Sequence, residues 1–427
     1  MDQTHDPALR SFIPVAPDSD FPIQNLPFGI FRPRSGGEAR VGTIVGHTVV
    51  DLAALERRGL FAGPELRGKQ VFARPSLNRF MELGRPAWRE ARLRLVELLR
   101  EEASSLRDDA GLRAEVLVPE DATQMCLPCE IGDYTDFYSS REHATNVGMM
   151  FRGAESALMP NWLHLPVAYH GRAGTVVVSG TDFHRPMGQS KADDAANPGF
   201  GPSRALDFEL EVGFFVGPGS AMGEAVPVER AFDHIFGFVL VNDWSARDIQ
   251  KWEYQPLGPF LGKNFCTSIS PWVVTLEALE PFRCAGPVQD PAPLSYLRNA
   301  GERTFDIELE VRLRTPSMGA GDRISGSNFR SLYWDPSQQL AHHSVNGCRL
   351  RAGDLLASGT ISGAAKDSRG SLLELCWKGT EPLRLSSGET RTYLQDGDEL
   401  TLSGHAVRGP LRVGFGEVRG RVLPARG

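Results

Sequence analysis

The segment Leu206-Asp-Phe-Glu-Leu-Glu-Val-Gly-Phe-Phe-Val216 constrains the fold more than any other part of the chain. Side chains alternate faces along a strand, so Asp207, Glu209 and Glu211 share one face and Phe208, Leu210 and Val212 the other. A half-solvated strand with an acidic outer face is the simple reading. It weakens because the acidic parity runs on into Gly213 and Phe215, while the other parity continues as Phe214 and Val216. Both faces are therefore expected to be buried, with packed layers on either side of the sheet. Carboxylates clustered in such a strand repel one another and lose hydration unless a cation, Arg or Lys compensates. The spacing points to a metal site in a layered, β-rich protein.

Composition agrees with that class. The 427 residues include 45 Gly and 30 Pro, which favour many turns over long helices. A net charge of −7, with no block of Lys or Arg, argues against nucleic-acid binding. No stretch approaches the roughly 20 apolar residues of a membrane span. The start, Met1-Asp-Gln-Thr-His-Asp-Pro, lacks the basic and apolar runs of a signal peptide. Six cysteines make no disulfide scaffold, and Cys126-Leu-Pro-Cys129 is a lone pair without thioredoxin-like context. Reduced thiols, a cytoplasmic location and no membrane partner are expected.

Along the chain, 28–31, 41–45 and 48–52 read as strands, the last two joined by a turn at Gly46-His47. Trp88, Leu95 and Leu99 recur at helical spacing within 86–102. A strand at 116–119 closes a small N-terminal domain, 1–118. The remainder, 119–427, reads as a second domain of strands with short helices. Its strand candidates are 174–179, 207–216, 235–241, 272–276, 305–313, 372–378 and 399–402. A P-loop is rejected at Gly258-Pro-Phe-Leu-Gly262-Lys263-Asn264, which has one residue too few between glycines and no Ser/Thr after Lys. Gly217, Gly219 and Gly223 miss the dinucleotide spacing, and neither G-x-S-x-G nor H-E-x-x-H occurs.

Three further constellations bear titratable groups. In Val239-Leu-Val-Asn-Asp-Trp-Ser-Ala-Arg-Asp-Ile-Gln250 a buried strand ends at Asn242-Asp243, and either residue could cap a helix. Asp243, Arg247 and Gln250 would then share one helical face, as a surface ion pair or as part of a site. In Asp136-Phe-Tyr-Ser-Ser-Arg-Glu-His143, Ser139 and Glu142 match a capping box, placing His143 near the start of a short helix. Positive charge is disfavoured there, which suits a proton acceptor; a structural histidine is the alternative. Glu374 in Leu372-Leu-Glu-Leu-Cys-Trp377 falls on a strand face with Leu372 and Cys376, where it either orients a partner or joins a structural pair. The loop Gly359-Thr-Ile-Ser-Gly363 offers hydroxyls and amide donors.

With these residues in hand, the sequence resembles the fumarylacetoacetate hydrolase family from about residue 15 to about residue 420. The likeness is carried by the words around Asp136–His143, Asn161-Trp-Leu-His-Leu-Pro166, Tyr169-His-Gly-Arg172 and Arg185-Pro-Met-Gly-Gln189. It continues in Glu209-Leu-Glu211, the Asn242 to Gln250 segment, Pro256-Leu-Gly-Pro-Phe-Leu-Gly-Lys263 and Ser358-Gly-Thr-Ile-Ser-Gly363. The first of these words, with the N-terminal domain, marks the family's fumarylacetoacetase branch. The resemblance implies a small N-terminal SH3-like barrel followed by a large mixed β-roll, assembled as a homodimer. It implies hydrolysis of the carbon–carbon bond of a diketo acid, 4-fumarylacetoacetate, to fumarate and acetoacetate, the last step of tyrosine and phenylalanine breakdown. It further implies that Asp136, Glu209, Glu211 and Asp243 hold a divalent cation, Ca²⁺ or Mg²⁺ or else Mn²⁺, with no organic cofactor. His143 becomes the general base, oriented by Glu374, and Arg247, Gln250 and Lys263 stabilise developing charge. Substrate contacts fall on Tyr138, Arg152, Tyr169, Gln250, Tyr254 and Thr360, and a second cation position on Lys263 and Thr267.

Two residues depart from the family pattern: Cys266 where a small residue such as Gly is expected, and Glu142 where Gln is expected. Runner-up readings are an acylpyruvate hydrolase or another enzyme of the superfamily, such as an isomerase or decarboxylase of keto acids, and a non-catalytic cation-binding protein. The His143–Glu374 combination favours water activation over these.

Overall fold

The computed structural model describes residues 3–426. Near the N-terminus an antiparallel five-stranded sheet runs in the order Leu117–Pro119, Thr48–Asp51, Arg40–Val45, Phe28–Pro33, Thr123–Cys126. It stands where an SH3-like barrel is expected. The hairpin turn at Gly46-His47 leaves Val45 paired with Thr48. The helix Arg85–Leu99 follows Gly84, carries Pro86 in its first turn, and buries Trp88, Leu95 and Leu99 as their spacing requires.

A mixed sheet forms the centre of the molecule. Its strands run in the order Ala168–His170, Tyr134–Phe137, Leu355–Ala357, Leu210–Val216, Ile235–Asp243, Thr267–Ile269, Val176–Val178, with Val274–Thr275 also paired to Ile235–Asp243. A second five-stranded sheet takes the order Asp322–Asn328, Glu308–Arg314, Glu399–Arg408, Leu411–Leu423, Phe183–His184. The fold is thus β-rich α+β, as the sequence implies.

The two-sided burial of Leu210–Val216 has a concrete basis. Phe215, Phe236, Val239 and Val241 pack with Phe28, Phe80 and Trp88 of the N-terminal part. Leu210, Val212, Phe214, Phe238 and Leu240 pack instead with Leu309, Val311, Leu402 and Phe415 of the second sheet. Each fully buried side chain of this kind contributes about 1.5–3 kcal/mol, so the central strands are fixed from both faces.

Several expected strands are corrected. The run 207–216 divides into Leu206–Asp207 and Leu210–Val216, because Asp207 turns to accept the amides of Phe208, Leu372 and Leu373. The run 372–378 is not a strand; Leu372–Leu375 forms a helical turn, with the Ser371 hydroxyl accepting from the Glu374 amide. Strand 272–276 shrinks to Val274–Thr275, and Thr275 caps the helix Leu276–Leu279. Position 52 begins the helix Leu52–Arg57, capped by Asp51, and 174–179 opens as the 3₁₀ turn Ala173–Thr175 before Val176–Val178. In the capped cases a short polar side chain satisfies helix amides and outweighs strand preference. Among the described residues no helix is long and apolar enough to cross a membrane, and all six cysteines are unpaired.

Candidate active site

Three central strands carry acids to one end of the mixed sheet. Asp136 is next to last in Tyr134–Phe137, Glu211 is second in Leu210–Val216, and Asp243 ends Ile235–Asp243. Strand alternation places each on the face that its neighbours Tyr134, Phe215 and Val241 turn toward the N-terminal core. All three are buried, and one carboxylate oxygen from each lies within 4.8 Å of the others. Asp136 Oδ1 and Glu211 Oε1 are buried without a hydrogen-bond partner among the described residues. Burial drives the Glu211 carboxyl well above its ordinary range, reinforced by the charges of Asp136 and Asp243. Burial likewise raises Asp136 to about 6, against the pull of Arg172. Carboxylates so crowded and desolvated suit a hard divalent cation, and the two unpartnered oxygens offer it ligand atoms.

The fourth acid, Glu209, sits beside this trio. Its carboxylate accepts from Lys263 Nζ at 2.8 Å, Arg247 at 2.6 Å and Ser245 Oγ at 3.1 Å. Burial raises its proton affinity, but Lys263, Arg247 and His143 outweigh this and hold it well below the usual carboxylate range. Lys263 Nζ also reaches Asp243 Oδ2 at 2.5 Å, and Thr267 donates to Asp243 Oδ1 at 2.9 Å. Lys263 is driven down by burial, yet the facing Asp243, Glu209 and Asp136 raise it above the ordinary lysine value. Glu211 Oε2 accepts from the amide of Gly359 at 3.2 Å. That glycine is required: its φ is +76°, and a Cβ would lie 2.2 Å from the Phe137 carbonyl.

Arg172 is a member of the site that sequence reasoning placed in a motif without giving it a role. Its guanidinium donates to Asp136 Oδ2 at 2.6 Å and Asp243 Oδ2 at 2.9 Å. The rings of Tyr134 and Tyr169 lie 4.6 and 4.8 Å from it. Asp207 was missed in another sense. It stands outside the converging trio of Asp136, Glu211 and Asp243, and accepts from Arg247 Nε at 2.8 Å and from the amides of Leu372 and Leu373 at 2.7 and 3.0 Å.

The expected helical face of Asp243, Arg247 and Gln250 is also corrected. Asp243 stays in its strand, and the helix Arg247–Glu253 begins after Ala246, so neither Asn242 nor Asp243 caps it. Arg247 pairs with Asp207 and Glu209, lies 3.3 Å from Gln250 Oε1, and keeps one buried terminal nitrogen without a partner among the described residues.

His143 lies in the first turn of Arg141–Arg152, a longer helix than expected, and the cap is Ser140 and not Ser139. Its Nδ1 stands 2.7 Å from Glu374 Oε2, with both side chains buried. Glu374 also accepts from Asn146 at 2.9 Å, Ser362 at 3.0 Å and Ser371 at 2.8 Å. Burial would raise Glu374, but His143, Asn146 and Ser371 hold it below the ordinary value. The Tyr138 and His143 rings form a T-shaped contact, with centroids 5.1 Å apart. Thr360 is buried with its hydroxyl unpartnered among the described residues. Tyr169 and Gln250 are half-buried. Arg152 and Tyr254 are exposed, Arg152 donating to the carbonyls of Ser156 and Ala157. Of the departures, Cys266 is packed in the core with its thiol pushed up to about 12 by burial. Burial also raises Glu142, in the first turn of the His143 helix.

Comparison with known proteins bears directly on this arrangement. Residues 133–423 match the family described as fumarylacetoacetate (FAA) hydrolase C-terminal, and residues 24–128 match fumarylacetoacetase N-terminal. The chain is 56% identical over 416 residues to fumarylacetoacetase of Bos taurus, covering 97% of this chain and 99% of that protein. It is 52% identical over 417 residues to fumarylacetoacetase of Arabidopsis thaliana, covering 98% and 99%. A solved fumarylacetoacetate hydrolase from Exiguobacterium antarcticum shares the fold, with a TM-score of 0.52 at 19% identity over 94% of this chain and 100% of that one. This chain belongs to the fumarylacetoacetate hydrolase family.

Proposed function

We propose that this protein hydrolyses the carbon–carbon bond of 4-fumarylacetoacetate, giving fumarate and acetoacetate, the last step of tyrosine and phenylalanine breakdown. The observation that carries the reading is the buried His143–Glu374 pair beside a cluster of buried acids. In this reading Asp136, Glu209, Glu211 and Asp243 hold a divalent cation, Ca²⁺, Mg²⁺ or Mn²⁺. Three of the four already converge, and Glu209 adjoins them through the Lys263 ammonium it shares with Asp243. When bound, a divalent cation held by these acids would supply Lewis-acid polarisation of the carbonyl to be attacked.

The chain's own groups supply the rest. Nδ1 of His143 donates to Glu374, which leaves Nε2 as the atom that takes a proton from water. Glu374 stabilises the imidazolium so formed. The hydroxide adds to the carbonyl, the oxyanion collapses, and the carbon–carbon bond breaks with acetoacetate leaving as an enolate. Arg247, Gln250 and Lys263 donate to the oxyanion and enolate, and the leaving carbon then takes up a proton. Arg247 has an unpartnered buried nitrogen available for this. Tyr138, Arg152, Tyr169, Gln250, Tyr254 and Thr360 are assigned to the substrate, and Lys263 with Thr267 to a second cation position. A protonated Lys263 could serve such a position only through its backbone carbonyl.

The reading includes division of labour between 1–118 and a catalytic part at 119–427, a homodimer and a cytoplasmic location. Six unpaired cysteines support a reducing compartment. The test is turnover of fumarylacetoacetate by the purified chain, followed as loss of diketone absorbance with and without chelator. Absence of turnover in metal-replete protein would overturn the assignment.

A further inference from the structure

The helix Arg247–Glu253 carries Arg247 and Gln250 at its start and middle and ends at Glu253. The Glu253 carboxylate accepts three consecutive backbone amides, from Phe260 at 2.7 Å, Leu261 at 3.0 Å and Gly262 at 2.8 Å. The next residue is Lys263. Behind these bonds the Gly262 carbonyl accepts from the Ala246 amide at 2.8 Å. A Cβ on Gly262 would stand 2.8 Å from the Gln250 amide nitrogen, so the loop lies directly on the helix backbone. The Lys263 and Asn264 amides both turn back onto the Phe260 carbonyl, at 3.1 and 2.9 Å.

Side-chain packing does little to hold this loop. Leu257 is 95% exposed and Phe260 is 67% exposed. A loop without buried side chains has low local stability unless polar bonds fix it, and amide bonds to a carboxylate are among the stronger ones. We propose that Glu253 is a positioning residue: by gripping Phe260–Leu261–Gly262 it registers Lys263 against the helix that bears Arg247 and Gln250. The inference rests on the role given above to Lys263. The ammonium must meet Asp243 and Glu209 from one side and the reacting oxygens from the other, so a small shift of its backbone is costly.

The experiment is a double-mutant cycle on the full chain, with kcat and KM on fumarylacetoacetate, bound metal and amide hydrogen exchange measured on each protein. Glu253→Ala should lower kcat about 10- to 100-fold, the usual cost of misplacing a catalytic group by about an ångström, with KM and metal content little changed. Exchange should speed up at the amides of residues 260–263 and not in the central sheet. In the Lys263→Met background the same substitution should cost no further kcat, since a residue acting through Lys263 has nothing left to position. Glu253→Gln, which keeps one acceptor oxygen, should fall between wild type and Glu253→Ala. A loss that multiplies in full with Lys263→Met, or unaltered exchange at residues 260–263, overturns the proposal. Normal turnover in Lys263→Met removes the role of Lys263 and the proposal with it, whereas an inactive wild-type protein with slow exchange at 260–263 that Glu253→Ala accelerates removes the substrate assignment and leaves the clamp standing.

Discussion

Glu374 Oε2 lies 2.7 Å from His143 Nδ1, although 231 residues separate the two in sequence. Neither element brings the pair together alone. The His143 helix is started by the Ser140 hydroxyl, and the Glu374 turn by the Ser371 hydroxyl. Ser362 and Asn146 then complete the acceptance by Glu374. A buried carboxylate with four donors has one orientation available, and that orientation fixes the imidazole.

From this follows the first expectation. His143→Ala should lose roughly 10³-fold in kcat, within the usual range for a general base. Glu374→Gln should lose somewhat less, because the amide oxygen can still accept from the ring. Both should retain the cation and bind acetoacetate. Turnover and calorimetric product binding on the same preparations check this. Near-normal turnover in His143→Ala would dismiss the base, and loss of the cation in Glu374→Gln would move Glu374 into the metal shell.

Removal of the cation should abolish turnover, and replacing Asp243 should abolish both metal content and activity. Asp243→Ala also removes one buried counter-charge from Lys263 and from Arg172, which keep Glu209 and Asp136 as their remaining partners. Asp243→Asn keeps an acceptor for them and is the cleaner variant. Metal analysis beside a chelator titration decides the matter. A chelated, metal-free preparation at full activity is the outcome incompatible with this site.

Lys263→Met should depress kcat by about 10²–10³, the cost of one oriented donor to a developing oxyanion, with a much smaller rise in KM. Steady-state kinetics separate the two. A change confined to KM would make Lys263 a ground-state binding residue.

Asp207 joins the two halves of the proposed machinery, since one carboxylate accepts from Arg247 and from the amides that open the Glu374 turn. Asp207→Asn should leave Arg247 short of a counter-charge and lower the melting temperature, while kcat falls further than the loss of folded protein explains. Circular dichroism melts with kcat per folded molecule test this. Unchanged kcat in a destabilised variant would reduce Asp207 to a structural role.

Local pattern was sufficient for the doubly buried acidic strand, because strand alternation is rigid and Phe215 on the acidic parity admits no solvated face. It was also sufficient for the helix holding Trp88, Leu95 and Leu99, whose spacing is set by 3.6 residues per turn. The resemblance named His143, Glu374 and the acids one residue at a time. Their placement was another matter. Glu374 read as a strand residue and sits in a helical turn, because Ser371 caps it and Asp207 takes the two preceding amides. Asp243 read as a helix cap and remains in its strand, held by Thr267, Lys263 and Arg172 from three other segments. The Asp207 and Arg172 contacts have no sequence signature at all. Spacing along a chain records which side chains share a face of one element, whereas these bonds join elements 36 to 166 residues apart. Such partners are neighbours only where the hydrophobic layers on both sides of the sheet hold distant segments together, and that arrangement is a property of the tertiary structure.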